Sequence, residues 1–365
     1  MSYSVKLKDS DQDRDYILRI VELPGIIQGN YKISRYPGIL DELKIPLQEV
    51  LVDENLTDIL NAYNDKQIED QLTHRLRKKI IGKGNRKIVL FLNLKVDNPS
   101  LITNPSNLSN VARVINDIYY SNPSVDLVSA PNLICKDVLQ QGINLYQIYM
   151  HLLEQIASDT EKKLVYFLPS YLSISQKESL IEWYRNKYGD DGLFAIDCSG
   201  ERFSSECYKG VAVVYRKMRQ IKIQDYGVYL FDIKPHKRTS KSSPSEELLS
   251  ILHGANLVGP LHSNTPVPPH VVEKIHQQNQ SYVKVFNEDT YLYEPKMWTD
   301  YAQAQIESDR KINEVLQKEI LPKNVGSVLS QGIKTNFLDE LRNTKKNYDK
   351  ISQNSSLTSF FNTSP

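Results

Sequence analysis

Leu193-Phe-Ala-Ile196, Val228-Tyr-Leu-Phe231 and Ala255-Asn-Leu-Val258 are three short apolar runs within the stretch Leu193–His262. Each stops at polar or breaker residues: Asp197-Cys-Ser-Gly-Glu201, Asp232-Ile-Lys-Pro-His-Lys237 and Gly259-Pro260. Between them lie helix-like segments at about Ser205–Gln220 and Ser245–His253. The second carries Glu246 and Glu247 in its first turn, where the helix dipole favours acids. Apolar runs of this length suit strands buried on both faces, and parallel strands need helical crossovers of this kind. The stretch therefore reads strand, helix, strand, helix, strand.

The same alternation extends towards the N-terminus. Strands are expected at Ile88-Val-Leu-Phe-Leu92, Asp126–Ala130 and Leu164–Leu168, with helices over Asn110–Tyr120, Val138–Ala157 and Gln176–Tyr188. Ile17–Leu23 is an earlier strand closed by Pro24-Gly25. Leu40–Leu60 has helix-like spacing broken by Pro46. Ile68, Leu72, Leu76 and Ile80 stand four apart, the stripe of a helix over Asp65–Ile81. Six consecutive β/α steps plus an earlier strand indicate an α/β fold, a TIM-like (β/α) barrel, complete or incomplete, over residues 1–265. An open doubly wound sheet is the alternative, but no glycine-rich strand–helix turn supports dinucleotide binding. Beyond the barrel, residues 266–298 form a Pro-rich segment with a small hairpin (Tyr282–Phe286 with Thr290–Tyr293). Residues 299–351 form a helical extension, and residues 352–365 a disordered tail.

Composition narrows the function classes. The net charge is +1, so any preference for nucleic acid must come from local patches. Cys135, Cys198 and Cys207 make neither a disulfide framework nor a metal site, and a reducing, intracellular setting (cytoplasmic or nucleoid-associated) is expected. No apolar run is long enough to span a membrane, so no membrane partner is expected. The 22 tyrosines read as packing residues, because no motif supports base stacking. Nothing names a cofactor, and the spacing of His262, His270 and His276 gives no metal motif.

In barrels, residues just after the strands converge on one mouth. The candidates there are Asn93, Lys95, Asp97, Ser129, Asn132, Ser170, Tyr171, Asp197, Ser199, Glu201, Asp232, Lys234, His236, Lys237, Asn256 and His262. Asp197 and Asp232, with Glu201, are the candidate acid/base, nucleophilic or metal-binding carboxylates. Lys95, Lys234, His236 and Lys237 are candidates for binding an anion. A separate basic cluster, Arg75, Arg77, Lys78, Lys79, Lys83, Arg86 and Lys87, reads either as a solvated helix end or as a phosphate-contacting surface.

The tail, Ser352–Pro365, is rich in Ser, Asn and Thr yet carries Leu357, Phe360 and Phe361. Their spacing puts all three on one side of a helical turn, able to plug an apolar pocket. Asn354-Ser-Ser-Leu357-Thr-Ser-Phe360-Phe361 resembles the PIP box, the peptide by which replication and repair proteins bind the sliding clamp PCNA. The resemblance covers eight residues and departs at Asn354, where the motif has glutamine. It implies a clamp partner bound through Asn354, Leu357, Phe360 and Phe361.

The order Ala195-Ile-Asp-Cys-Ser-Gly200, Leu230-Phe-Asp-Ile-Lys-Pro-His236 and His253-Gly-Ala-Asn-Leu-Val-Gly259 resembles the later half of the tRNA-guanine transglycosylase barrel. On this layout the family's nucleophilic aspartate falls near Val258–Gly259, where no carboxylate stands. The family's cysteine-rich zinc site and Gly-Gly-Phe-Gln loop are absent too. The likeness implies a distantly shared architecture.

Three functions follow as expectations. The first is a nucleic-acid-associated barrel enzyme, base-modifying or DNA-processing, tethered to the clamp. The second is a non-catalytic scaffold or DNA-binding module. The third is a metabolic barrel enzyme, or a diverged transglycosylase-like protein, unrelated to DNA.

Overall fold

The computed structural model describes residues 3–81, 84–135, 144–160, 162–237, 241–262, 282–297 and 300–353. The chain opens with β1 (Lys6–Gln12), β2 (Ile17–Leu23) and β3 (Ile27–Gln28), an antiparallel sheet. Ile17–Leu23 is thus a strand as expected, but it lies outside the central sheet. That sheet is built from β4 (Tyr31–Lys32), β5 (Leu47–Asn55), β6 (Lys87–Lys95), β7 (Leu127–Ser129), β8 (Asn132–Ile134), β9 (Leu164–Leu168), β10 (Gly192–Asp197), β11 (Tyr226–Phe231) and, after the two-residue β12 (Ser243–Pro244), β13 (Leu257–Val258).

Eight of these strands pair in the order β4-β13-β11-β10-β9-β7-β6-β5, with β8 beside β6, and every pairing among them is parallel. The α/β alternation read from the sequence is therefore present. The first strand of the series lies next to the last. No backbone pairing joins β4 to β5 among the described residues.

The sheet is strongly curled. Phe91 on β6 and Phe231 on β11 stand four strands apart, which is ~19 Å in a flat sheet. Their ring centroids are 4.5 Å apart, and Phe91 also meets Phe167 at 6.1 Å and Tyr229 at 5.3 Å. These rings fill the concave face. The parity of β11, β10 and β6 places Tyr229 and Phe231, Ala195 and Asp197, and Phe91 and Asn93 on that face. The convex face is covered by helices: α1 (Pro37–Glu42), α2 (Leu56–Ala62), α3 (Lys66–Ile80), α4 (Pro105–Ile115), α5 (Leu145–Asp159), α6 (Ile174–Tyr188), α7 (Tyr208–Gln220) and α8 (Glu246–Ile251). α3 buries Leu72, Leu76 and Ile80 as its stripe predicts. α6 starts at a capping box, Ser173 with Gln176. Tyrosine serves packing: Tyr119, Tyr120, Tyr149, Tyr166, Tyr184, Tyr229, Tyr291 and Tyr348 are fully buried.

The reading of Leu40–Leu60 needs correction. Leu47–Asn55 is the strand β5, paired over its full length with β6, and only Leu56–Ala62 is helical. Leu47, Val50 and Leu51 mimic a helical stripe, but the strand alternates. Glu49 and Asp53 face the concave side, while Glu54 faces Arg75 of α3.

β14 (Tyr282–Asn287) and β15 (Leu292–Met297) form the expected hairpin and join β12. The late helices α9 (Tyr301–Lys318), α10 (Val325–Leu329) and α11 (Thr335–Ser352) dock on the same core. Ile312, Val315, Leu316, Phe337, Leu341 and Tyr348 belong to the cluster that contains the sheet. No helix among the described residues is long and apolar enough to cross a membrane.

Candidate active site

The carboxyl ends of β6, β8, β9, β10 and β11 surround a cleft of about 630 Å³. Its polar lining comes from Asn93, Asn132, Ser170, Asp197, Ser199 and Asp232, and aromatic walls come from Tyr146, Tyr171 and Phe231. This is the size of a small-molecule site. Among the described residues, the lining holds two carboxylates and no lysine or arginine.

Asp197 ends β10 and is 7% exposed. Its Oδ1 accepts from the Ser199 backbone N–H at 2.9 Å. Its Oδ2 faces the Ser170 hydroxyl at 2.9 Å, the Ser199 hydroxyl at 3.0 Å and the Ser170 N–H at 3.3 Å. The two hydroxyl oxygens are themselves 2.6 Å apart. Three contacts share two hydroxyl protons, so one hydroxyl donates to the other and the second donates to the carboxylate. The triangle fixes Asp197 at the cleft floor.

Asp232 follows β11 and is 8% exposed. Its φ of 55° and that of Ser199, 47°, lie in the left-handed region, which costs an ordinary residue of order 1 kcal/mol or more. The two loops hold each other in place. Cys198 N donates to Phe231 O, and Gly200 N donates to Asp232 O. Oδ1 of Asp232 accepts the backbone N–H of His262 at 2.6 Å.

A relay of amides crosses the other side of the cleft. Asn93 Nδ2 donates to Asp53 Oδ1 at 2.9 Å, and Asn132 Nδ2 donates to Asn93 Oδ1 at 3.2 Å. An ionised carboxylate only accepts, so Asp53 dictates which end of Asn93 faces it, and Asn93 dictates the orientation of Asn132. Oδ1 of Asn132 is left as a buried acceptor without a partner. A buried polar atom of this kind costs about 1–3 kcal/mol until something donates to it.

Asp197 and Asp232 are thus brought together as expected. Glu201 is not, because its side chain is exposed and lines a smaller cavity of about 210 Å³ behind Asp197, together with Lys177 and Cys207. The expected anion-binding group does not converge on the cleft either. Lys95 is exposed at the end of β6, and Lys234 is outside the lining. The His236 ring lies 4.8 Å from that of Tyr293, and Lys237 pairs with Glu340. The loop after Asp232 turns towards the β15 hairpin and α11, and carries these groups with it. Asn256 is structural, bonded to Arg19 O, Asn30 and Val228 N.

The basic cluster is partly consumed by internal pairs. Arg75 meets Glu54 and Asp58, Lys79 donates to Leu51 O, Arg86 pairs with Asp41, and Lys87 pairs with Asp126. Arg77 and Lys78 are exposed. Arg86 and Lys87 stand at the amino end of β6, opposite the cleft. Lys83 and the peptide residues Asn354, Leu357, Phe360 and Phe361 lie outside the described residues.

Glu49, Asp53, Tyr146 and Gln176 escape the sequence reading. The first two sit on β5, whose alternation (Glu49, Leu51 and Asp53 against Val50 and Val52) is the signal that finds them. Tyr146 and Gln176 come from the first turns of α5 and α6, and no strand-end rule selects them.

No protein-family model matches this chain, and no curated protein is similar enough in sequence to count as a relative.

Proposed function

We propose that this protein is a TIM-like barrel enzyme that acts on an unpaired nucleobase and is brought to DNA by its C-terminal peptide binding a sliding clamp. The observation that carries the reading is that Asn132, whose buried amide oxygen is an acceptor without a partner, lines the same cleft as two carboxylates. A ligand that satisfies this floor presents hydrogen-bond donors, as ring N–H and amino groups of a base edge do. The walls of Tyr146, Tyr171 and Phe231 suit a flat ring. Among the described residues the lining has no cation, which suits the base better than its phosphates and calls for an unstacked nucleotide. Asp197, fixed by two serines, orients the base. Asp232 serves as general base or nucleophile. A converging floor of this sort favours an enzyme over a scaffold.

Isothermal titration with free nucleobases, nucleosides and oligonucleotides bearing an unpaired base tests this. Binding of donor-bearing bases, lost in Asn132→Leu, supports the reading. Equal binding by that variant overturns it. A pull-down with and without residues 354–365 tests the tether, and equal recovery of the clamp removes it. Nucleosides binding with no preference for oligonucleotides, together with an unneeded tail, points instead to a metabolic enzyme.

A further inference from the structure

β13 has two residues, and the chain beyond it reaches Asp232 through His262. Up to Gly259 the backbone is held: Gly259 N donates to Leu230 O at 2.8 Å, and Lys32 Nζ donates to Gly259 O at 3.1 Å. At His262 side chains take over. The imidazole Nε2 donates to Oε1 of Glu49, the other oxygen of Glu49 accepts from the Tyr229 hydroxyl, and the ring stacks on Phe231 at 5.4 Å and 30°. The backbone N–H of the same residue holds Asp232. Glu49 belongs to β5, the edge strand, and Tyr229 to β11, five strands away in the sheet order. The Glu49 side chain is 1% exposed, and it bridges the edge where β4 and β5 share no backbone bonds among the described residues.

We infer that Glu49 is a positioning residue for Asp232: it clamps the His262 ring, and the His262 backbone then sets the carboxylate in the cleft. The inference rests on the reading of Asp232 as a reacting group, but it concerns the free protein. The titratable groups facing His262 are Glu49 and Asp53 from β5, Tyr229 from β11 and Asp232 just after it. Burial by itself lowers the imidazole pKa. The charge and hydrogen bond of Glu49, with Asp232 and Asp53, outweigh it and raise the pKa above its ordinary value. A raised histidine pKa means that the ion-pair part of the clamp is present below the ordinary histidine value and is lost as pH rises through the folded-state value.

NMR on the free full chain, with histidine ring and aspartate carboxyl carbons labelled, reads both ends of the relay. In the wild type, His262 titrates above the ordinary histidine value, and the Asp232 carboxyl resonance shows a step at the same pH. In Glu49→Gln, which keeps the shape, the His262 titration drops below the wild-type value, because the main raising partner has lost its charge, and the Asp232 step moves with it. No coincident step in the wild type overturns the inference, and that measurement needs no variant. A step unmoved in Glu49→Gln, with the thermal melt retained, overturns it as well. Failure of nucleobase binding in the titrations above leaves this result untouched, so the two ideas fail separately.

Discussion

Gly259 leaves the space that Glu49 fills: a β-carbon at residue 259 would lie 2.5 Å from Glu49 Oε2, with Tyr229 Cε1 and Leu230 O each at 3.0 Å. Gly259→Ala therefore displaces Glu49 or shifts β13. The expected loss is about 1–3 kcal/mol, the usual range for overpacking. Part of this disappears when Glu49 is also truncated, whereas the contact with Leu230 O persists. Urea unfolding of the two single variants and the double variant measures the coupling, and full additivity contradicts the contact.

Asn132→Leu separates stability from binding. The substitution removes one unpartnered buried oxygen but orphans Asn93 Oδ1, and the two effects are of similar size and opposite sign. Unfolding free energy is expected to change by less than about 1 kcal/mol. Base binding falls by roughly five- to thirtyfold, since one good hydrogen bond in a buried site is worth about 1–2 kcal/mol. A large loss of stability shows that the amide relay is a structural element.

Asp197 and Asp232 respond differently to substitution. Asp197→Ala strips the acceptor from one serine hydroxyl and from the backbone N–H groups of Ser170 and Ser199, and loses about 1–3 kcal/mol. Asp232→Asn keeps an acceptor for His262 N–H and stays within about 1 kcal/mol of the wild type. Any base-directed reaction drops by roughly a hundredfold or more in Asp232→Asn. A variant with unchanged melting and unchanged turnover removes Asp232 from the chemistry.

His253 and Glu246 give stability a pH dependence from opposite sides. His253 is fully buried between Phe203 and Tyr348, its Nδ1 donates to Leu249 O, and Nε2 has no partner. Burial chiefly pushes its pKa down to about 4. A depressed histidine contributes stability that is present above its ordinary value of 6.5 and lost as pH falls through 4, on the order of 3 kcal/mol in full. Burial likewise pushes the Glu246 carboxyl up to about 7, against the opposing bonds from Ser204 and the charge of Arg202. Its contribution is present below the ordinary 4.5 and lost as pH rises through 7. Thermal melts across pH 4–8 should lose their acid-side slope in His253→Gln and part of their neutral-side slope in Glu246→Gln. Parallel curves for wild type and variants contradict these assignments.

Phe91→Ala tests the curl of the sheet. The ring touches Phe167, Tyr229 and Phe231 from three other positions on the concave face. A loss of about 3–5 kcal/mol is expected from the cavity and lost burial. Combined with Phe231→Ala, the loss should be smaller than the sum, because the two side chains share one contact. Additive losses would mean that β6 and β11 do not face each other.

The sequence by itself determined the α/β alternation, because a strand buried on both faces must be a short apolar run ended by polar residues. It also determined that Asp197 and Asp232 stand at strand ends, since strand parity and length place them there. Tertiary structure alone decided the rest. Whether Asn132 keeps a free oxygen depends on Asp53, and whether Asp232 is held depends on Glu49, and both acids come from a strand whose alternation imitates a helix. Lys95, Lys234 and His236 matched the strand-end rule as well as Asp232 did, yet Lys95 ends exposed at the rim of β6 and loop direction carries Lys234 and His236 elsewhere. A run of residues encodes its own period and burial; which side chain meets which across a curled sheet is set by contacts between segments far apart in the chain, and no local pattern carries that information.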